Sequence, residues 1–152
     1  MNLAQEIARD FRQMFQHPNF VGGDLKTHLE GITLEQAKKT VGDHNSILAL
    51  TYHIHYYIGG VLQVLEGGTL DIRDKYSYDY PDLQTEAEWQ ELLANGWVNA
   101  ERFAELLDSM TEEQMHQTMA DEKYGPWGRN LIGLIQHSYY HIGQIGLLKK
   151  LV

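Results

Sequence analysis

Two histidines four residues apart, in His137-Ser138-Tyr139-Tyr140-His141, have the types and spacing to do chemistry. Positions i and i+4 of a helix share a face, so both imidazoles reach one point, and neutral imidazole is the commonest metal ligand. On a helical wheel the pair borders a stripe of Leu134, Ile145 and Leu148 and so faces inward or toward a mouth in a bundle. The spacing alone leaves two readings open: a pair of metal ligands, or two histidines satisfied by neighbouring side chains and water. The zinc-peptidase variant places Glu after the first His as a base. Ser138 stands there, which excludes that chemistry.

A dinuclear carboxylate cage needs inward Glu residues and Glu-x-x-His on two helices. Glu113-Gln114-Met115-His116 has the local spacing, but in a short polar segment. No Asp or Glu occurs from Lys123 to Val152 or from His44 to Leu65, so that cage has no ligands. A mononuclear site needs a third ligand, and Tyr52-His53-Ile54-His55 offers two. Residues two apart on a helix point about 200° apart, so only one of them serves a given metal, and the wheel favours His53. Tyr57, one turn on, adds a phenol to the same cavity, whereas Tyr56 reads as a packing residue with a polar tip. Gln144, about one turn after His141, is either a partner for its ring or a packing amide. His17, His28, His44 and His116 lie in connections or near helix ends and are expected at the surface.

These residues need helices to hold them. Residues 2–16 repeat Leu3, Ile7, Phe11, Met14 and Phe15 at helical spacing, and His17-Pro18 ends the run. Residues 18–32, with Gly22, Gly23 and Gly31, read as a connection. Thr33-Leu34-Glu35-Gln36 is a capping box for a short helix to about Thr40. A second long helix spans about Asn45 to Glu66 and stops at Gly67-Gly68. The tyrosine-rich stretch Thr69 to Gln84 is long for a helical hairpin; it can carry the chain the length of a bundle, so that its flanking helices run parallel. Within it, Tyr76 to Tyr80 reads as a packed crossover rather than a lid. Thr85-Glu86-Ala87-Glu88 opens a third long helix, apolar to Met110, and Thr111-Glu112-Glu113-Gln114 caps a short turn. Residues 121–128 form a loop, and the last helix runs from about Trp127 to Lys150. The prediction is an all-α, up-down four-helix bundle with a long crossover between helices 2 and 3, one domain over residues 1–152. Gly59, Gly60, Gly133, Gly143 and Gly146 fall inside predicted helices, each costing about 1 kcal/mol relative to Ala. Close helix approach or ligand space would account for them.

Composition narrows the function. With 43% hydrophobic and 22% charged residues, and no apolar run of membrane-spanning length, the chain reads as globular and not membrane-embedded. Twenty-one acidic against 12 basic residues give a net charge of -9, which disfavours nucleic acid and anionic lipid as partners. There are no cysteines, so disulfides, thiolate metal sites and a Cys nucleophile are excluded. The first residues, Met1 to Glu6, lack a signal-peptide pattern, and a cytoplasmic location is expected.

The chain resembles the DinB-like (YfiT-like) metalloenzymes, in the variant common among Bacteroidetes-type proteins. The likeness lies in Asn45-Ser46-Ile47 followed by His53, the Gly67-Gly68 exit, the Asp121-Glu122-Lys123-Tyr124-Gly125 loop, and His137-Ser138-Tyr139-Tyr140-His141-Ile142-Gly143-Gln144. His-x-x-x-His-x-Gly-Gln is the most specific of these. Many relatives carry Trp where Asn45 stands, so the register of the second helix rests on Ser46, Ile47 and His53. The resemblance implies a crossover four-helix bundle, often homodimeric. It also implies a divalent metal on His53, His137 and His141; zinc, nickel and iron all accept imidazole, and Tyr57 and Gln144 are the candidates from the residues to support the ligands. Metal-bound water would make such a site a hydrolase; the resemblance supports a second route, a transferase using the thiolate of a low-molecular-weight thiol, and either would act on a small-molecule substrate. The alternative is a stress-associated helical protein that binds metal or a partner without catalysis.

Overall fold

Side-chain caps set most of the helix starts. The computed structural model describes residues 2–16, 19 and 21–152. Seven α-helices lie among them: α1 (Leu3–Gln16), α2 (Leu25–Leu29), α3 (Leu34–Lys38), α4 (Ile47–Leu65), α5 (Glu86–Asp108), α6 (Glu112–His116) and α7 (Trp127–Leu148). The described residues contain no β-strand beyond a lone bridge between Thr118 and Pro126. All three capping boxes form, with Thr33, Thr85 and Thr111 each accepting from the backbone N–H three residues on while that residue's side chain accepts from theirs. Ser46 caps α4 by accepting from Ala49 N–H, with no return bond because alanine has no acceptor. Residues 18–32 are not wholly a connection, because Asp24 caps the five-residue α2 by accepting from Thr27 N–H at 2.9 Å. His17 and Pro18, expected to end the first helix, lie outside the described residues.

Contacts between the four long helices fix their directions. Phe11 stacks on Phe103 with ring centroids 4.4 Å apart, and Phe15 meets Trp97 edge-on, so α1 and α5 are antiparallel. His55 lies on Gly96 and Glu66 pairs with Arg102 at 3.2 Å, so α4 and α5 are parallel. His53 meets His141, and Tyr57 meets His137, so α4 and α7 are antiparallel. The order is therefore up, down, down, up. Parallel α4 and α5 require residues 66–85 to run back along the bundle, which is the crossover the sequence predicts. Gly67 begins that turn at φ 89°, where a side chain would be strained.

The core between these helices is continuous. Trp89, Phe11, Phe103, Met14, Ile54, Ile58 and Leu107 are fully buried, and Trp89 donates its indole N–H to the Ile32 carbonyl at 2.9 Å. No helix among the described residues is long and apolar enough to cross a membrane.

The start of α5 carries a pH signature. The Glu88 carboxylate accepts from the backbone N–H groups of Gln84 and Thr85 at 2.6 and 2.8 Å, and these bonds hold its pKa below 4.5. A depressed folded-state pKa adds stability above the unfolded value that is lost as pH falls through the folded one. Titration of Glu88 by carboxyl-carbon NMR should give a midpoint below 4.5; a midpoint at or above it would show that the cap does not form in solution.

Candidate metal centre

His53 projects from the second turn of α4 toward α7, where His137 and His141 present their rings one turn apart. His53 Nε2 lies 3.1 Å from His137 Nε2, which lies 3.0 Å from His141 Nε2. One ligating nitrogen from each ring falls within 4.8 Å of both others. Around a tetrahedral ion with metal–nitrogen bonds of 2.0–2.1 Å, neighbouring ligand nitrogens stand about 3.3 Å apart. The observed separations are within a few tenths of an ångström of that.

Protons alone serve this arrangement poorly. Each neutral imidazole carries one N–H and one lone pair. His141 Nδ1 lies 2.7 Å from Gln144 Oε1, a bond in which the ring donates, so His141 turns a lone pair inward at Nε2. A single proton on His137 Nε2 then has two acceptors to serve, and a bare His137 Nε2 sets lone pair against lone pair. Three lone pairs converging on one cation remove the conflict. His53 Nδ1 is buried, and the backbone of Ser77 favours a proton on this ring although the geometry falls short of a hydrogen bond.

The electrostatics agree. His53 is held at a pKa of about 4, first by burial and then by His141 and His137 beside it. Burial also lowers His137, with His141 adding to the effect, and burial lowers His141 against the bond to Gln144. At neutral pH all three rings are uncharged, the form that binds metal. Tyr57 is raised to about 12 by burial and by its hydrogen bond to Asp74, so it remains a phenol that donates to that carboxylate.

The crossover closes one side of the cluster. Tyr78 stacks on His53 with centroids 4.3 Å apart and planes 14° apart, and Ser77 is buried beneath it. The expectation of a packed segment from Tyr76 to Tyr80 is corrected: only Ser77 is buried, while Tyr76, Tyr78 and Tyr80 remain exposed, and Tyr78 lies with one face across a site residue. Tyr56 donates to the Arg73 carbonyl and accepts from Arg73 N–H, pinning the same segment to α4. A cavity of about 570 Å³ opens beside His137, walled by Tyr57 and Val61 of α4, Leu70, Ile72 and Asp74 of the crossover, Met119 and Tyr124, and Asn130, Gly133 and Leu134 of α7. A larger cavity of about 690 Å³, between Asp24, Glu86 and Trp97, has no histidine among the described residues that line it.

The other histidines stay apart. His55 points to the opposite side of α4, half-buried between Phe15, Trp97 and Gly96, its Nε2 without a hydrogen-bond partner and burial holding its pKa near 4. His44 and His116 are exposed, as expected, and His17 lies outside the described residues. His28 corrects the expectation of a surface position: it is half-buried between Gly23 and Gly146, either of which would clash with it on gaining a Cβ. Ser138 donates to the Leu134 carbonyl at 2.8 Å within its own helix, buried and turned from the cluster. Asp74, Met119 and Asn130 belong to the site's surroundings without any sequence signal. Two are in irregular connections, and Asn130 looks like any polar residue of a first turn. It latches the preceding loop by donating to the carbonyls of Tyr124 and Pro126 at 3.0 and 2.8 Å.

A family model described as DinB superfamily matches residues 20–145. Neither the curated proteins nor the solved structures gave a match. The bond from His141 to Gln144 fixes the tautomer that frees Nε2, a type of support whose loss costs 10- to 100-fold in metal affinity. Gln144→Leu should weaken zinc binding by about that factor in competition with a chromophoric chelator. Unchanged affinity would reduce Gln144 to a packing residue.

Proposed function

The chain belongs to the DinB superfamily, and we propose that it is a metal-dependent enzyme with one divalent transition metal held by His53, His137 and His141. The observation that carries this reading is the convergence of three uncharged imidazole nitrogens, His137 Nε2 lying 3.1 and 3.0 Å from those of His53 and His141 and all three within 4.8 Å of one another, with no proton arrangement that satisfies them equally. Imidazole suits zinc, nickel and iron alike, so the donor set leaves the metal open among these. A dication there supplies Lewis acidity, making water or a small thiol nucleophilic near neutral pH. The reaction class is hydrolysis or transfer from a low-molecular-weight thiol to a small-molecule substrate.

The chain's own residues have separate tasks. Gln144 orients His141 by accepting its Nδ1 proton. Tyr78 and Ser77 cover His53 and keep water from that side. The Tyr57 hydroxyl donates to Asp74 at the cavity wall, so a proton can be held or passed at the phenol oxygen beside His137. No sulfur nucleophile comes from this cysteine-free chain, so the transferase route takes it from the cofactor.

Purified protein should contain about one transition metal per chain, and His53→Ala, His137→Ala and His141→Ala should each lose most of it while remaining helical by circular dichroism. Full metal content in any of the three removes that residue from the site. Metal without turnover of activated esters, or of electrophiles offered with small thiols, would leave the non-catalytic alternative.

A homodimer is part of the proposal. Ile132, Tyr140 and Leu147 are exposed along α7, and no charged residue lies between Arg129 and Lys149. Two copies of net charge -9 meeting there would bring no like-charged side chains of that stretch together. Sedimentation at micromolar concentration should give twice the chain mass; a monomer would contradict this.

A further inference from the structure

Helix-interior glycine is costly, and several such costs in this fold have a visible return. A Cβ on Gly60 would lie 2.3 Å from Ile72, one on Gly96 2.0 Å from His55, and one on Gly146 2.8 Å from His28. In each case the glycine seats a neighbouring side chain. Gly133 is different. A Cβ there would meet nothing within 4 Å, and the empty space is the cavity beside His137. Gly59 and Gly143 are equally open, but neither lines that cavity. On the facing wall Gly60 lets Ile72 settle against α4, so two glycines shape opposite sides of one space.

The chemistry of the wall is one-sided. Val61, Leu70, Ile72, Met119 and Leu134 supply an apolar surface, and no lysine or arginine stands among the described lining residues. Asp74 is their only carboxylate, and it is engaged by Tyr57. An anionic body along this wall would meet no counter-charge from a side chain and would be repelled by Asp74; the one positive charge within reach would be that of a metal on His137, at the cavity's edge. At about 570 Å³ the space is within the usual range for small-molecule sites.

We propose that this cavity binds a small molecule with an uncharged, apolar body, and that Gly133 provides the room for it. The proposal names the substrate class for the metal centre and rests on that reading for its catalytic meaning, though not for binding itself.

The probe is N-phenyl-1-naphthylamine, neutral and fluorescent in apolar surroundings, titrated into the full chain, with its sulfonated analogue 8-anilinonaphthalene-1-sulfonate in parallel. The neutral probe should bind saturably at one per chain. With a chelator present, so that no dication offsets Asp74, the sulfonate should bind at least tenfold more weakly. Gly133→Leu, which fills the space without touching the fold, should weaken the neutral probe at least tenfold with no drop in Tm. Saturable binding unchanged by Gly133→Leu, no saturable binding to the unaltered chain, or equal affinity for the sulfonate would each overturn the proposal. Zinc, nickel and iron content measured on the same samples separates the two readings. Metal present while the probe arms fail rejects the cavity alone; probe arms as expected with none of the three metals support the cavity and reject the metal centre.

Discussion

Three basic nitrogens held together in a partly dry space form the constraint on which the rest of this structure depends. Each imidazole must remain uncharged, because three positive rings at these separations would repel strongly where water cannot screen them. Burial enforces neutrality, and His53 is driven furthest from its ordinary pKa. Neutral rings then present more lone pairs than protons can occupy. A dication at the centre would turn that excess into three bonds, with Gln144 behind His141, the Ser77 backbone near His53, and Tyr78 across its face placed to support it.

The bundle topology follows from the same requirement. His137 and His141 share a face of α7 because of helical periodicity, but His53 meets them only because α4 runs antiparallel to α7 in one register. Parallel α4 and α5 then oblige the chain to travel back along the bundle between them. That crossover is the segment that delivers Tyr78, Ser77 and Asp74 to the cluster. Length that is costly as a connection becomes the cover of the site.

Much of this was legible in the sequence because helices advertise themselves. The three capping boxes at Thr33, Thr85 and Thr111 are local patterns with local causes, and each forms. His53 separates from His55 by the 200° between alternate helix positions, and the two point to different neighbours. What sequence could not supply was everything without a period. Asp74 and Ser77 bound a single 3-10 turn of the crossover and Met119 sits in irregular chain, and tertiary contacts set the course of both. The five-residue α2 depends on one Asp24 cap amid glycines. His28 reads as a surface residue until Gly23 and Gly146, far apart in sequence, are seen to open a slot for it. Gly133 could be noticed from sequence as an anomaly inside a helix; only the facing wall shows which space it opens.

Anomalous diffraction from crystals of the zinc-loaded protein, collected on both sides of the zinc absorption edge, tests the central claim most directly. The account predicts a single strong peak equidistant from the Nε2 atoms of His53, His137 and His141, about 2.0–2.1 Å from each. A peak elsewhere with the three rings still in mutual contact, or none at full zinc loading, would contradict it.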